Sequence, residues 1–443
     1  MPILSQDFYD EQCRSKSISQ FSKEFNLGRL LEQSNIRKAK GVGVLAVFIH
    51  LLMVAFSGKS LNQLIGNGDF AGKKDVFYRF MNSTSANWLR FIHLLASNFV
   101  ARLNVFFSDH TGVLVLDDTL HKRNRSKNVE LLTRVRDHND GRYYRGFRCL
   151  TICFQIANAI VPVGFRILSS VSEKTRINGS RTNLDKRTNG YKIRQFAVSN
   201  TFQMAFDMLS RLRGMARHVL FDSWFSEPIM FKTLCGMGFH GVGMLPAKKG
   251  RLYYYKGKYC NLESLYSLVK PFIHRDQAFA SVGVVFKDGT PFSITFVQDK
   301  DNKRGWLAIG TTDLSLSPKQ VISLYSRRWS IEVFFKTAKS CLGFARECQS
   351  RSFDAVVCSV AVVFTRHIAM TWMNLGLPLP ETDGQLFFRL FDELRECTFS
   401  EALEIVIREV VVNFVDSDEL LKTSVLEFLR TLPCHFKPSQ AVA

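Results

Sequence analysis

Apolar positions recur every three or four residues through SKEFNLGRLLEQ, VGVLAVFIHLLMVAF, VFYRFMN and ANWLRFIHLLASNFV, which predicts that residues 1 to about 100 form helices broken by short turns. At residue 111 the pattern changes to TGVLVLDDT, a continuous apolar run of β type that ends in two carboxylates and a threonine. CLTICFQIANAIVPVGFRIL reads as two paired strands with Pro162 and Gly164 at the turn, and RTNLDKRTNGYKIRQFAVSNTFQMAFDMLSRL as a basic loop running into an amphipathic helix. HVLFDSWFS is a further apolar strand that ends on Asp222. Residues 227 to 315 are β-rich, with Asp288-Gly289 marking a hairpin and Trp306 opening the last strand, WLAIGTTDL. Ser317-Pro318 then starts a helical region. It holds the run Tyr325 to Phe344, AVVCSVAVVFTRHIAMTWM, and the amphipathic stretches SEALEIVIREVVVNF and DELLKTSVLEFLRTL.

Composition narrows the class. A chain of 443 residues that is 46% hydrophobic can bury two or three structural units. Its net charge of +20 makes a polyanion the expected partner, and nucleic acid comes before a membrane surface because no basic amphipathic anchor stands out. The ten cysteines include no CxxC pair and no Cys/His cluster at zinc spacing, so reduced thiols are expected rather than a disulfide framework or structural zinc. No signal peptide is read at the start, and the run Gly41 to Phe56, the one membrane candidate weighed, falls short of the ~20 residues a span needs. Gly58-Lys59-Ser60 resembles the end of a phosphate loop, but Met53 stands where that loop requires its first glycine. The N-terminal helical block carries a basic surface from Arg29, Arg37, Lys38, Lys40, Lys59, Lys73, Lys74 and Arg79.

Three places carry candidate chemistry. The first is the Asp117-Asp118 pair, whose members must face opposite sides of a strand, so only one of them can serve a given site. An Asp-Asp turn capping the next loop is the plainer alternative. Between His121 and Arg148 nine basic residues then interleave with Tyr143, Tyr144 and Phe147, a mixture suited to phosphate contact and base stacking. The second place is Asp222. The third is the helical run from Tyr325, on which Tyr325, Arg328, Glu332 and Lys339 fall within an arc of roughly 60°, with Trp329 and Lys336 close to the same face. The ordinary reading of such a face is intrahelical pairing of Glu332 with Lys336 and Arg328.

The spacing Y-x2-R-x3-E-x6-K of Tyr325, Arg328, Glu332 and Lys339 resembles the signature of the IS-four group of insertion-sequence transposases, which cut and paste DNA with a DDE triad. The resemblance implies an α/β fold, a ribonuclease-H-like catalytic core interrupted by a β-rich insertion, with an N-terminal helical domain and C-terminal helices. The corresponding division is 1–105 for DNA recognition, 106–226 and 316–375 for the two parts of the core, 227–315 for the insertion and 376–443 for the C-terminal helices. It also implies that Asp117, Asp222 and Glu332 ligate two divalent cations, Mg²⁺ or Mn²⁺, with Asp118 the alternative to Asp117, which is preferred because it heads D-x-T. Tyr325, Arg328, Lys336, Lys339, Trp329 and Trp306 would contact DNA. Expected partners are double-stranded DNA, at terminal inverted repeats and target, and a second copy of the chain on paired ends. The expected setting is the bacterial cytoplasm at the nucleoid, with no membrane. The competing readings are a catalytically silent, transposase-derived DNA-binding protein and a ribonuclease-H-like nuclease.

Overall fold

The run Val113–Leu116 is buried on both faces, which an apolar sequence without alternation requires of a central strand. It begins β1 (Val113–Lys122), and in this computed structural model β1 organises a sheet with β2 (Thr133–Arg136), β3 (Tyr143–Ile156), β4 (Ala159–Leu168), β5 (His218–Phe221) and β6 (His240–Met244). β4 runs antiparallel to β3 and β3 antiparallel to β1, whereas β1 and β5, then β5 and β6, are parallel. The order β4–β3–β1–β5–β6 with these directions is that of a ribonuclease-H-like core. β11 (Trp306–Thr311), β10 (Pro291–Gln298), β9 (Phe279–Val285), β7 (Tyr253–Tyr255) and β8 (Lys258–Cys260) extend it from β6 through antiparallel pairs into an eleven-stranded mixed sheet.

The structure describes residues 11–38, 40–56, 61, 63, 73–137, 140–248, 250–272, 279–298 and 306–375. The C-terminal stretches SEALEIVIREVVVNF and DELLKTSVLEFLRTL, with the whole of 376–443, lie outside the described residues. So does Gly58-Lys59-Ser60. The chain divides into two compact units, one drawn from Met1–Trp88, Lys336–Ser350 and Asp354–Ala443, the other from Leu89–Phe335 and Arg351–Phe353.

The sheet lies in the second unit, with helices at Asn189–Ala197, Thr201–Ser210, Pro228–Gly236, Leu262–Val269 and Pro318–Ser326. All of these but Pro228–Gly236 start from a capping side chain. Thr188 accepts from the Tyr191 amide, Asn200 from those of Phe202 and Gln203, and Ser317 with Gln320 forms a reciprocal capping box ahead of Pro318. The β3–β4 turn differs from expectation. It falls at Ala157, whose φ is 48°, while Pro162 and Gly164 lie inside β4. The register slips opposite Ile152 and Cys153, and a proline is tolerated at such a bulge because its missing N–H breaks no ladder bond there. Asp288-Gly289 does join β9 to β10. A second tight hairpin at Lys256-Gly257, both with positive φ, joins β7 to β8.

The first unit packs the helices Leu27–Gln33, Val44–Phe56, Lys74–Met81 and most of Phe353–Leu375. The expectation that Gly41–Phe56 is the sole membrane-like stretch is corrected here, because Phe353–Leu375, with a mean hydropathy of 1.6, is also long and apolar enough to cross a membrane. In the fold almost all of it is buried. At its middle the fully buried Arg366 donates to the Leu51, Leu52 and Leu342 carbonyls and pairs with Glu347 at 2.8 Å, so a charge that lipid would penalise is satisfied by protein. Phe21, Phe25 and Trp372 complete an aromatic cluster in the same unit.

Candidate active site

β1 is longer than its parallel neighbour, and the difference creates the site. The β1–β5 pairing proceeds Leu114 with Val219, Val115 with Leu220 and Leu116 with Phe221, and then β5 stops. The next residues in register are Asp117 and Asp222. Strand β5 ends because Asp222 folds back on its own backbone: its Oδ1 accepts from the Trp224 and Phe225 amides at 3.1 and 3.3 Å, and its carbonyl accepts from Ser226. Asp117 stays hydrogen-bonded into β3 on its other side, opposite Thr151, and so faces a gap where β5 has turned away. Two carboxylates thus meet where the parallel pairing of β1 with β5 ends, at the C-terminal end of β5, the side on which open α/β sheets bind their ligands.

The electrostatics record this meeting. Burial pushes the Asp117 carboxyl up to about 8, with the Asp222 and then the Asp118 charge adding to the rise against the opposing pull of Arg328. Burial likewise raises Asp222, and Asp118 raises it further. Asp118 takes a different course. Pointing to the other face of β1, its Oδ2 accepts from the Arg148 guanidinium at 2.5 Å, and Arg148 in turn reaches the Arg136 carbonyl at 3.3 Å.

Glu332 and its neighbours arrive on two helices rather than one. The run expected to be a single helix is divided at Arg327 and Arg328 into Pro318–Ser326 and Trp329–Ser340. The junction keeps turning through tight i to i+3 bonds, from the Arg328 amide to the Tyr325 carbonyl and from the Ile331 amide to the Arg328 carbonyl. Arg327 explains the tightening. Its side chain leaves the helix to grip the end of β3, donating to Gln155 Oε1 at 2.5 Å and to the Gln155 carbonyl at 2.9 Å, and burial lowers its pKa to about 10. Sequence reasoning passed over Arg327, although the Arg-Arg pair offered a signal: neighbours on a helix diverge by about 100°, so the second arginine had to serve another surface.

The junction delivers Arg328 between the acids. Its guanidinium stands 2.5 Å from Glu332 Oε1 and 3.5 Å from Asp117 Oδ2, and 5.8 Å from the centre of the Tyr325 ring. Burial raises the Tyr325 hydroxyl to about 12, with Asp222 and Asp117 adding to the rise and Arg328 opposing it, so the phenol keeps its proton. The structure therefore brings together Asp117, Asp222, Tyr325, Arg328 and Glu332. Among the described residues, no three His, Cys, Asp or Glu side chains converge as a metal-holding group, and Glu332 Oε1 accepts from the Arg328 guanidinium.

The remaining expected residues stand as follows. Trp329 is two-fifths exposed at the start of its helix, and Lys336 and Lys339 are exposed on that helix about one and two turns beyond Glu332. Trp306 stacks on Tyr266 at 4.9 Å and meets Phe296 edge-on at 5.5 Å, so much of its ring surface is packed within the sheet extension. Trp224, not singled out from the sequence, is also two-fifths exposed, two residues past Asp222 and stacked on Phe202.

Two family models match the chain. One, described as DDE superfamily endonuclease, spans residues 30–249, and the other, described as Transposase DDE domain, spans 190–367. The first takes in Asp117 and Asp222, the second Asp222 and the Tyr325-to-Lys339 motif. Both matches support a DDE transposase with nuclease-type chemistry. No curated protein matches the chain.

Proposed function

We propose that this chain is a cut-and-paste DNA transposase of the IS-four group, which cleaves DNA at the ends of an insertion sequence, by way of a terminal hairpin, and joins them to target DNA. The observation that carries the reading is the convergence of Asp117, at the point of β1 where its parallel pairing with β5 stops, and Asp222, just past the end of β5, within reach of the helix junction that supplies Arg328 and of Glu332 on the following helix. In this reading residues 1–105 recognise the terminal inverted repeats, 106–226 and 316–375 form the catalytic core, 227–315 is the β-rich insertion, and two chains act on paired ends. The setting is the bacterial nucleoid.

The residues fit a pair of divalent cations. All three candidate ligands, Asp117, Asp222 and Glu332, are hard oxygen donors, and the raised Asp117 carboxyl marks a buried negative site that a cation would relieve. DDE transposase domains typically use such ions, which, when bound, activate the attacking oxygen and stabilise the leaving one. The protein's part is positioning. Arg328 holds Glu332 aside and offers a planar fork to a phosphate. With a DNA phosphate beside it, that fork could turn from Glu332 to the backbone, which would leave the carboxylate available as a ligand. Tyr325, protonated, donates a hydrogen bond next to the same phosphate, while Lys336 and Lys339 add point charges further along the helix and Trp329 an exposed aromatic face. Asp117 is preferred to Asp118 because Arg148 occupies the latter.

The Arg328–Glu332 pair also favours a second reading, a silent DNA-binding descendant in which the ion pair is permanent. Excision from a donor plasmid with Mg²⁺ separates the two. The transposase should cut at the element ends, and Asp117→Asn, Asp222→Asn and Glu332→Gln should each lower cutting at least about a hundredfold while retaining end binding. Cutting retained in any one of them removes that residue from the ligand set.

A further inference from the structure

The ribbon formed by β2 and the first residues of β3 presents a face that the catalytic reading leaves without a task. Arg134 lies directly across from Arg145 and Arg136 across from Tyr143, so all four share one side of the ribbon. All four are exposed, whereas Thr133 and Val135 point to the buried side. Two arginines placed face to face repel each other, and among the described residues no acidic side chain pairs with Arg134, Arg136 or Arg145. A charge arrangement that destabilises the free protein calls for an anion.

The ribbon is fastened to the candidate centre. At Gly146 strand β3 pairs with Lys122 of β1 on one edge and with Thr133 of β2 on the other, and the β1 and β3 backbones press so close that a β-carbon there would lie 2.3 Å from the His121 carbonyl oxygen. Beyond that point Arg148 links the two structures, bonded to Asp118 at 2.5 Å on one side and to the Arg136 carbonyl at 3.3 Å on the other. Lys122 bonds to Asp137 at 2.9 Å and lies 3.8 Å over the Tyr144 ring, which fixes the other side of the ribbon. The arginine face is thereby held at a set offset from Asp117. Arg134 and Arg136, two residues apart on one strand, stand about 7 Å from each other, close to two base-pair rises of a duplex.

We infer that this ribbon is a clamp for the DNA backbone, in which Arg134, Arg136 and Arg145 hold phosphates of the duplex being cleaved and Asp118, through Arg148, positions the clamp on the catalytic centre. The inference rests on the transposase reading and deepens it. Phosphate contacts of this kind carry no sequence information, so the clamp adds affinity and register rather than recognition. Each neutralised phosphate contributes about 0.9 to the slope of log affinity against log salt.

The test uses the full chain and a fluorescent duplex carrying the element end, titrated across 50 to 300 mM salt. Arg134→Ala, Arg136→Ala and Arg145→Ala should each reduce the slope by about 0.9, and the triple variant by about 2.7. A scrambled duplex should show the same reductions, and the variants' melting temperatures should match the parent within a few degrees. A folded triple variant with an unchanged slope would overturn the clamp. The Asp222→Asn variant keeps this outcome separate from the parent reading: if it loses cutting and keeps its slope, the transposase assignment stands whatever the arginine variants do. Conservative Arg→Lys replacements should restore most of the slope. Failure to restore it, with folding intact, would likewise count against a phosphate role.

Discussion

A carboxyl group held at about 8 in the folded chain, from an ordinary 3.8, makes Asp117 a burden on stability at neutral pH. The sign follows from proton counting. Between the two values the folded state binds the proton that the unfolded state has released, so stability falls as pH rises from about 4 to about 8. Asp117→Asn, which cannot ionise, should therefore melt at a higher temperature than the parent at pH 8, and the gap should narrow towards pH 4. A thermal melt series across that range measures it. Millimolar Mg²⁺ should raise the melting temperature of the parent, since a ligand bound only by the folded state stabilises it by mass action, and should leave Asp117→Asn nearly unmoved. An equal response of both proteins to Mg²⁺ would remove Asp117 from the metal site.

At the level of elements, the junction between Pro318–Ser326 and Trp329–Ser340 sets where Arg328 and Glu332 stand. Arg327 ties it to Gln155 through two charge-assisted hydrogen bonds, so Arg327→Ala should destabilise the chain by about 1.5–3 kcal/mol and shift Arg328 and Glu332 away from Asp117. Plasmid excision should then drop even at temperatures where the variant stays folded, as circular dichroism would verify. Much of this architecture was legible beforehand. The apolar runs ending in Asp117 and Asp222 announced central strands, because strands covered on both faces cannot alternate, and the Asp288-Gly289 hairpin followed from turn chemistry. The break at Arg327 was not legible. Helical periodicity continues through it, and the bond that tightens the junction reaches a glutamine 172 residues away. The β3–β4 turn was misread for a similar reason: Pro162 and Gly164 signal a turn locally, while the bulge that accommodates the proline inside β4 is decided by the partner strand.

For the molecule as a whole, charge is the governing quantity. With a net +20, two free chains repel each other, and DNA supplies the opposite charge that lets them approach. Light scattering should find mainly monomer alone and two chains with two ends once element-end duplex is added, and a single chain cutting an isolated end at full rate would contradict paired-end action. The mismatch in length between β1 and β5 sets a further condition on how such a molecule can change. The position of Asp117 is written in a hydrogen-bond register, so insertions in the surface connections leave it where it is. Deleting one residue from Val113–Leu116 would reverse the facing of everything after it and bring Asp118 to the gap in place of Asp117. The doubled aspartate thus gives the strand a spare: a slip of one place would cost the bond to Arg148 before it cost the centre its carboxylate.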